Sequence, residues 1–258
     1  MLIAVIAGAL GLLIGSFLNV VVWRVPRGES VVSPPSHCPA CDAPVRTRDN
    51  VPVVSWLLLR GRCRDCADPI SARYPLVELA SAAVFVAMAL RIGLHAELPA
   101  FLYLSAIGVT LALIDYDTHR LPNVIVLPSY LVGALLLGTA AAVTGEWDNA
   151  IRMLIGAVAL FAFYFVLALV HPAGMGFGDV KLAGVLGMYL GWLGYSELVV
   201  GGFLGFLFGG VIGGTLMALG RASRKTKIPF GPFMLLGALV AILCGGALGD
   251  LYLNALGR

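Results

Sequence analysis

Residues 151–170 read IRMLIGAVALFAFYFVLALV, twenty residues with one charge, Arg152, and no proline. A helix rising about 1.5 Å per residue carries such a stretch across about 30 Å, the thickness of a bilayer's hydrocarbon core. The run has no polar side to turn toward water, as expected of a span that is apolar all round. Seven comparable runs accompany it, near 2–22, 76–94, 98–116, 124–144, 180–195, 197–219 and 230–250. Only Gly194-Tyr195-Ser196 separates the 180–195 run from the 197–219 run. The whole chain of 258 residues is 60% hydrophobic and 12% charged, with 32 glycines and a mean hydropathy of +0.95. A soluble domain is ~45–50% apolar with glycine included and ~25% charged. Too little polar surface exists to coat a soluble body, which excludes a soluble globular enzyme, a disordered chain and a nucleic-acid binder. The expected fold class is an all-α polytopic membrane protein of about eight transmembrane helices.

Charge position then sets an orientation. Eight of the 17 Lys and Arg lie between Arg24 and Arg73, with five acids and four of the five cysteines. Placing this loop inside puts Arg120, Lys181, Arg221, Arg224, Lys225 and Lys227 on the same side. Only Arg91, Arg152 and Arg258 are left outside. The positive-inside bias therefore predicts a cytoplasmic 24–75 loop and both termini outside. The start, Met1-Leu2-Ile3-Ala4-Val5, has no basic n-region and no A-x-A site precedes Arg24, so a retained first helix is expected rather than a signal peptide. The expected division is 1–23 first helix, 24–75 polar loop domain and 76–258 membrane domain. Glycines at 201, 202, 205, 209, 210, 213 and 214 suit close helix packing in a bilayer.

Inside the polar loop, Cys38-Pro39-Ala40-Cys41 and Cys63-Arg64-Asp65-Cys66 form two C-x-x-C knuckles. Two such turns can surround Zn²⁺ with four thiolates, a closed structural site that folds a loop lacking its own core. A disulfide or redox pair is the alternative, disfavoured by a reducing cytoplasm and by the absence of a βαβ context. His37 is a spare candidate ligand. Cys244, in the last apolar run, reads as a buried small hydrophobe.

Ionisable residues at the edges of apolar spans are costly and hence functional candidates. Asp115 ends the 98–116 run and Asp179 starts the 180–195 run, so counting spans brings both to the cytoplasmic face at similar depth. Paired carboxylates can share a proton, one activating water while the other polarises a carbonyl and protonates a leaving nitrogen. Gly174, Gly176 and Gly178 would let an extended substrate backbone approach Asp179. Each residue also has an ordinary role open to it. Asp179 could cap a helix, and Asp117 could be a solvated partner of Arg120. Lys181 could snorkel to the interface, and His171 before Pro172 could stop a helix. A transporter using the two aspartates for protons or cations is the alternative function, and an inactive assembly scaffold a third.

Several motifs in combination resemble the bacterial type IV prepilin peptidases, bifunctional leader peptidases and N-methyltransferases of the GxGD aspartic type. Gly15-Ser16-Phe17-Leu18-Asn19-Val20 with Arg24-Val25-Pro26 is similar to the family's first-helix signature. The paired C-x-x-C loop follows, then Ile70 to Glu78, a D-x-D-x(4)-P-[DN] pattern from Asp115 to Asn123, and Gly176-Phe177-Gly178-Asp179 with Lys181-Leu182. The resemblance implies catalysis by Asp115 and Asp179 on the leaders of type IV prepilins or pseudopilins, at the cytoplasmic side of the inner membrane. Cleavage would follow the glycine that ends a short basic leader. It also implies N-methylation from S-adenosylmethionine, for which Glu78 is the one candidate binding residue. Glu78 could equally serve as a helix N-terminal carboxylate. Ser16 and Asn19 could touch substrate or make polar contacts between helices.

Overall fold

The computed structural model describes residues 1–171, 175–221, 223, 226 and 228–255, with side chains described as far as 246. Gly174, Arg224, Lys225, Lys227 and Arg258, all weighed above, lie outside the described residues. In chain order the helices are α1 (Leu2–Arg24), a short α2 (Val54–Leu58), α3 (Arg73–Ile92) and α4 (Leu98–Thr118). They continue with α5 (Asn123–Thr144), α6 (Trp147–Val170), α7 (Phe177–Leu193), α8 (Tyr195–Ala218) and α9 (Gly231–Ala255). Among the described residues there is no strand, only two isolated bridges.

The eight long helices fall on the eight apolar runs, so the protein is an all-α polytopic membrane protein. Six of them, α1, α3, α4, α5, α6 and α8, are long and apolar enough to cross a membrane. Helix α7 has 17 residues, and the apolar part of α9 with described side chains is Gly231–Gly246. Helix ends follow local chemistry. Gly93 and Gly145 close α3 and α5 at positive φ, where a Cβ would be strained. His119 closes α4 in the left-handed region and donates its N–H to the Asp115 carbonyl at 2.8 Å. Pro122 then opens α5, and His171 ends α6 as expected.

The contacts group into two units, Met1–Leu94 with Leu102–Thr110, and His95–Phe101 with Leu111–Arg258. In the first, α1 packs on α3 along a seam of small residues. A Cβ added to Gly11 would stand 2.7 Å from the Ala82 Cα, and one on Gly15 would stand 2.8 Å from the Glu78 Cα. Asn19 Nδ2 donates to the Tyr74 carbonyl at 3.2 Å, one of the polar interhelical contacts foreseen for it.

In the second unit α7 is the core element. Every residue from Asp179 to Trp192 except Lys181 is buried, against α5, α6, α8 and α9. Helix α6 meets it backbone to backbone, and a Cβ on Gly156 would lie 2.9 Å from the Gly191 Cα. Tyr130 of α5 donates its hydroxyl to the Lys181 carbonyl at 2.6 Å. The α8 glycines divide. Gly201, Gly202, Gly205 and Gly209 sit against neighbours, whereas Gly210 and Gly214 face open space. Successive residues turn 100° around a helix, so adjacent glycines cannot share one seam. Cys244 is exposed rather than buried. In a membrane protein hydrophobicity does not require protein neighbours, because the surrounding lipid is apolar too.

Candidate active site and candidate metal centre

Asp115 lies in the last turn of α4 and Asp179 in the first turn of α7, both inside helices rather than beyond their ends. Both are buried, at 5% and 8% relative exposure. Each carboxylate accepts one main-chain hydrogen bond through Oδ2. Gly176 N–H donates to Asp179 at 3.1 Å, and Gly231 N–H, at the start of α9, donates to Asp115 at 3.0 Å. Among the described residues neither Oδ1 has a hydrogen-bond partner. The Asp179 bond is a helix cap, with the third helical residue reaching back to the residue before the helix. The capping role weighed for Asp179 is therefore present, and it fixes the carboxylate's direction.

Leu121 joins the two carriers. Its Cβ would lie 3.1 Å from a Cβ on Gly178, and its Cδ2 would lie 3.4 Å from one on Gly231. It is thus wedged between the backbones that flank Asp179 and hold Asp115. Gly176 is exposed and Gly178 half-buried, which leaves backbone accessible beside Asp179. Asp117 sits 200° further round α4 than Asp115 and is exposed. Lys181 donates to Asn123 Oδ1 at 2.9 Å, with its ammonium 4.8 Å over the Phe177 ring.

The sequence reading missed Gly231. A main-chain donor 116 positions from its acceptor leaves no side-chain signature. The signal available was Pro229-Phe230-Gly231-Pro232, a rigid turn opening the last apolar run.

The four cysteines converge in the first unit, with all four Sγ atoms within 4.8 Å of one another. The Cys38 and Cys66 sulfurs are 3.7 Å apart. A tetrahedron of sulfurs about 2.3 Å from a central ion has edges of about 3.8 Å, so the set fits a metal ion, and no disulfide links it. The two knuckles have the same construction. Asp42 N–H donates to the Cys38 carbonyl at 2.9 Å and Ala67 N–H to the Cys63 carbonyl at 3.0 Å. Both donors have positive φ, and the flanking bridges pair His37 with Pro44 and Arg62 with Pro69. Main-chain N–H groups of Cys66 and Asp65 lower the Cys63 thiol to about 7, whereas Cys66, despite the Asp68 N–H, is pushed up to about 12 by burial and the neighbouring sulfurs, so the four thiols do not ionise alike. The Arg64 guanidinium grips both oxygens of Asp49, 2.7 Å from Nε, and holds that carboxyl below its usual range. Arg46 pairs with Asp65 at 2.7 Å. The His37 ring lies by the Pro35 carbonyl, outside the sulfur cluster.

Glu78, the candidate for S-adenosylmethionine, is buried in α3 at 7% relative exposure. Its Oε2 accepts the Val53 N–H at 2.7 Å, immediately before α2, where Val53 has φ 59°. The carboxylate thus ties the cysteine-bearing loop to the second turn of α3.

Comparison with known proteins finds two family matches along the chain. The model described as the bacterial peptidase A24 N-terminal domain matches residues 9–92, and that of the type IV leader peptidase family matches residues 102–249. A protein of Aeromonas hydrophila named prepilin leader peptidase/N-methyltransferase is 37% identical over 268 residues, covering 94% of this chain and 91% of that protein. One of the same name from Bacillus subtilis is 32% identical, covering 95% of each. The type 4 prepilin-like proteins leader peptide-processing enzyme of Escherichia coli is 34% identical, covering 92% of this chain and 93% of its own length. No solved structure matches the chain. With its cysteine-bearing front part and its aspartate-bearing remainder both matched, the chain belongs to the type IV leader peptidase family.

Proposed function

We propose that this protein is a membrane aspartic endopeptidase that removes the short basic leader of type IV prepilins or pseudopilins and then N-methylates the new N-terminus. The observation that carries the peptidase reading is the pair of buried carboxylates, each held through one oxygen by a main-chain N–H. Fixed dipoles of this kind orient the acids before substrate arrives and add no reorganisation cost at the moment of reaction. The remaining oxygens are available to a water and to the scissile carbonyl. One carboxylate, ionised, takes a proton from the water. The other, protonated, donates a hydrogen bond to the carbonyl and then a proton to the departing amine. Backbone at Gly176 and Gly178 carries no side chain, so an extended leader junction can lie against Asp179. The relatives' names favour this peptidase over a proton- or cation-coupled transporter.

The charge distribution supports an inner-membrane orientation with the cysteine loop and both aspartates at the cytoplasmic face and the termini outside. There the leader's basic residues would remain in the cytoplasm while the following apolar helix lies in lipid. In the loop, Cys38, Cys41, Cys63 and Cys66 would hold Zn²⁺ as a closed structural site. Methyl transfer rests on the relatives' names, with S-adenosylmethionine as the donor such chemistry requires. Glu78, the candidate residue for that cofactor, has one carboxylate oxygen occupied by the Val53 N–H.

The test is cleavage of a prepilin-like substrate in proteoliposomes. Asp115→Ala and Asp179→Ala should each remove activity, while Asp117→Asn, on the exposed side of α4, should keep most of it. Full cleavage by either alanine variant would overturn the assignment. Proton-coupled flux without cleavage by the intact protein would replace it with the transporter.

A further inference from the structure

Helix α2 is built inside out for a segment in water. Its one hydroxyl, on Ser55, is buried, donating to the Arg48 carbonyl at 3.1 Å and accepting from Val51 N–H at 3.0 Å. The side chains turned outward are apolar, with Val54 50%, Leu57 61% and Leu58 78% exposed. Positions i, i+3 and i+4 share one face of a helix, so these three form a continuous strip.

The depth of this strip is fixed from two directions. Glu78, which holds Val53 N–H, lies five residues inside α3, about 7–8 Å along the helix from Arg73. On α1 the residue packed against the Glu78 Cα is Gly15, nine residues and about 13 Å back from Arg24. A carboxylate leaning toward the start of its helix recovers only part of that distance. The loop between α1 and α3 therefore folds back beside the spans, and α2 begins level with them. On α3, Leu76 and Leu79, which flank Glu78 in sequence, are also exposed, at 62% and 49%. At the other end of the strip come Arg60 and Arg62, both exposed. Trp56, a residue type suited to the headgroup boundary, is fixed by donating its indole N–H to the Ile70 carbonyl at 3.0 Å.

We propose that α2 is an interfacial anchor. Its Val54–Leu57–Leu58 strip lies in the lipid of the bilayer that α1 and α3 cross, with Arg60 and Arg62 at the level of the phosphates. An apolar strip bounded by cationic side chains is the pattern of a segment lying in the membrane boundary. The cysteine module is then held at the membrane surface by the bilayer as well as by its two chain connections. This conclusion depends on the membrane-spanning fold and is independent of the peptidase chemistry.

The experiment uses the full-length wild-type chain in lipid nanodiscs made with a phospholipid carrying a diazirine near the carbonyl end of its acyl chain. After illumination and digestion, peptides are analysed by mass spectrometry. Adducts on the peptide holding residues 54–58 should reach a yield comparable with that at Leu76 and Leu79 of α3. They should exceed by several-fold those on the peptide spanning Cys38 to Val45. Labelling of 54–58 no greater than that of the Cys38–Val45 peptide, with α3 labelled normally, would overturn the proposal. Failure of the preparation to cleave a leader substrate would count against the proposed function and leave this result unaffected.

Discussion

Replacing Gly231 by alanine would put a Cβ 2.7 Å from Asp115 Oδ2 and 3.3 Å from its Cγ, with Leu121 Cδ2 a further 3.4 Å neighbour. Oδ2 must retreat about 0.7 Å or more to restore an ordinary contact. The present 3.0 Å hydrogen bond from Gly231 N–H would then be stretched out of range. A hydrogen bond to a charged group is worth about 1.5–3 kcal/mol, and misplacing a reacting group by about 1 Å costs on the order of 100-fold in rate. Gly231 does not have a positive φ, so alanine can adopt its backbone conformation and the fold itself should survive. The expected outcome is a fall of about 100-fold in kcat, with a stability loss no larger than that of the one hydrogen bond, about 1.5–3 kcal/mol. Gly210→Ala, whose new Cβ would meet nothing within 4 Å, should leave kcat unchanged. The assay is leader cleavage by purified variants in nanodiscs, alongside melting by intrinsic fluorescence. Activity of Gly231→Ala within about three-fold of wild type would refute the idea that this donor positions Asp115.

Cys38→Ser should lower bound zinc from about one ion per chain, measured by elemental analysis, because a tetrahedral site loses one of its four ligands. Unchanged metal content would refute the ligand set. Glu78→Ala should leave the Val53 N–H without its acceptor, at about 1–3 kcal/mol of local stability. Hydrogen exchange should then speed up across 51–58 while the α6–α7 pair remains protected, and unchanged exchange at 51–58 would count against the tie. Gly187→Leu should destabilise the α6–α7 pair by several kcal/mol, since even a Cβ there would lie 2.7 Å from the Gly156 carbonyl carbon. A melting temperature equal to wild type would show that the seam yields more easily than its geometry implies.

The helices were legible because each apolar run carries its own length and its own stop. His171 ends α6 where the following proline suggested it, and the long polar loop appears as a break in hydropathy. The cysteines were legible as a metal-binding set because knuckle spacing is a local property. The two aspartates stood out because a carboxylate in an apolar run is rare. What escaped the sequence was contact made by the main chain or by absent atoms. Gly231 reaches Asp115 through a backbone N–H. The tightest helix seam uses Gly156, Gly187 and Gly191 rather than the conspicuous glycine pairs of α8, two of whose members face open space. Glu78 pairs with a backbone group 25 residues away, so nothing in its immediate neighbours announced the tie. Cys244 showed the opposite limit, since hydropathy cannot say whether an apolar residue meets protein or lipid.

Helix α7 carries a carboxylate at its start, an ammonium two residues later and only 17 residues in all, and it is enclosed by α5, α6, α8 and α9. Taken alone it is a poor candidate for stable insertion into a bilayer, because its charged first turn has no water or partner there. During biosynthesis its enclosure is incomplete until α8 and α9, which follow it in the chain, have been made. The helix that bears Asp179 is therefore neither the first nor the last to be translated, yet its seat needs two helices made before it and two made after it. Chains truncated before α9 should accordingly leave α7 exposed to the membrane's quality-control proteases. Because α9 also brings the Gly231 N–H to Asp115, a chain stopped short of it should lack leader-cleaving activity as well as a seat for α7.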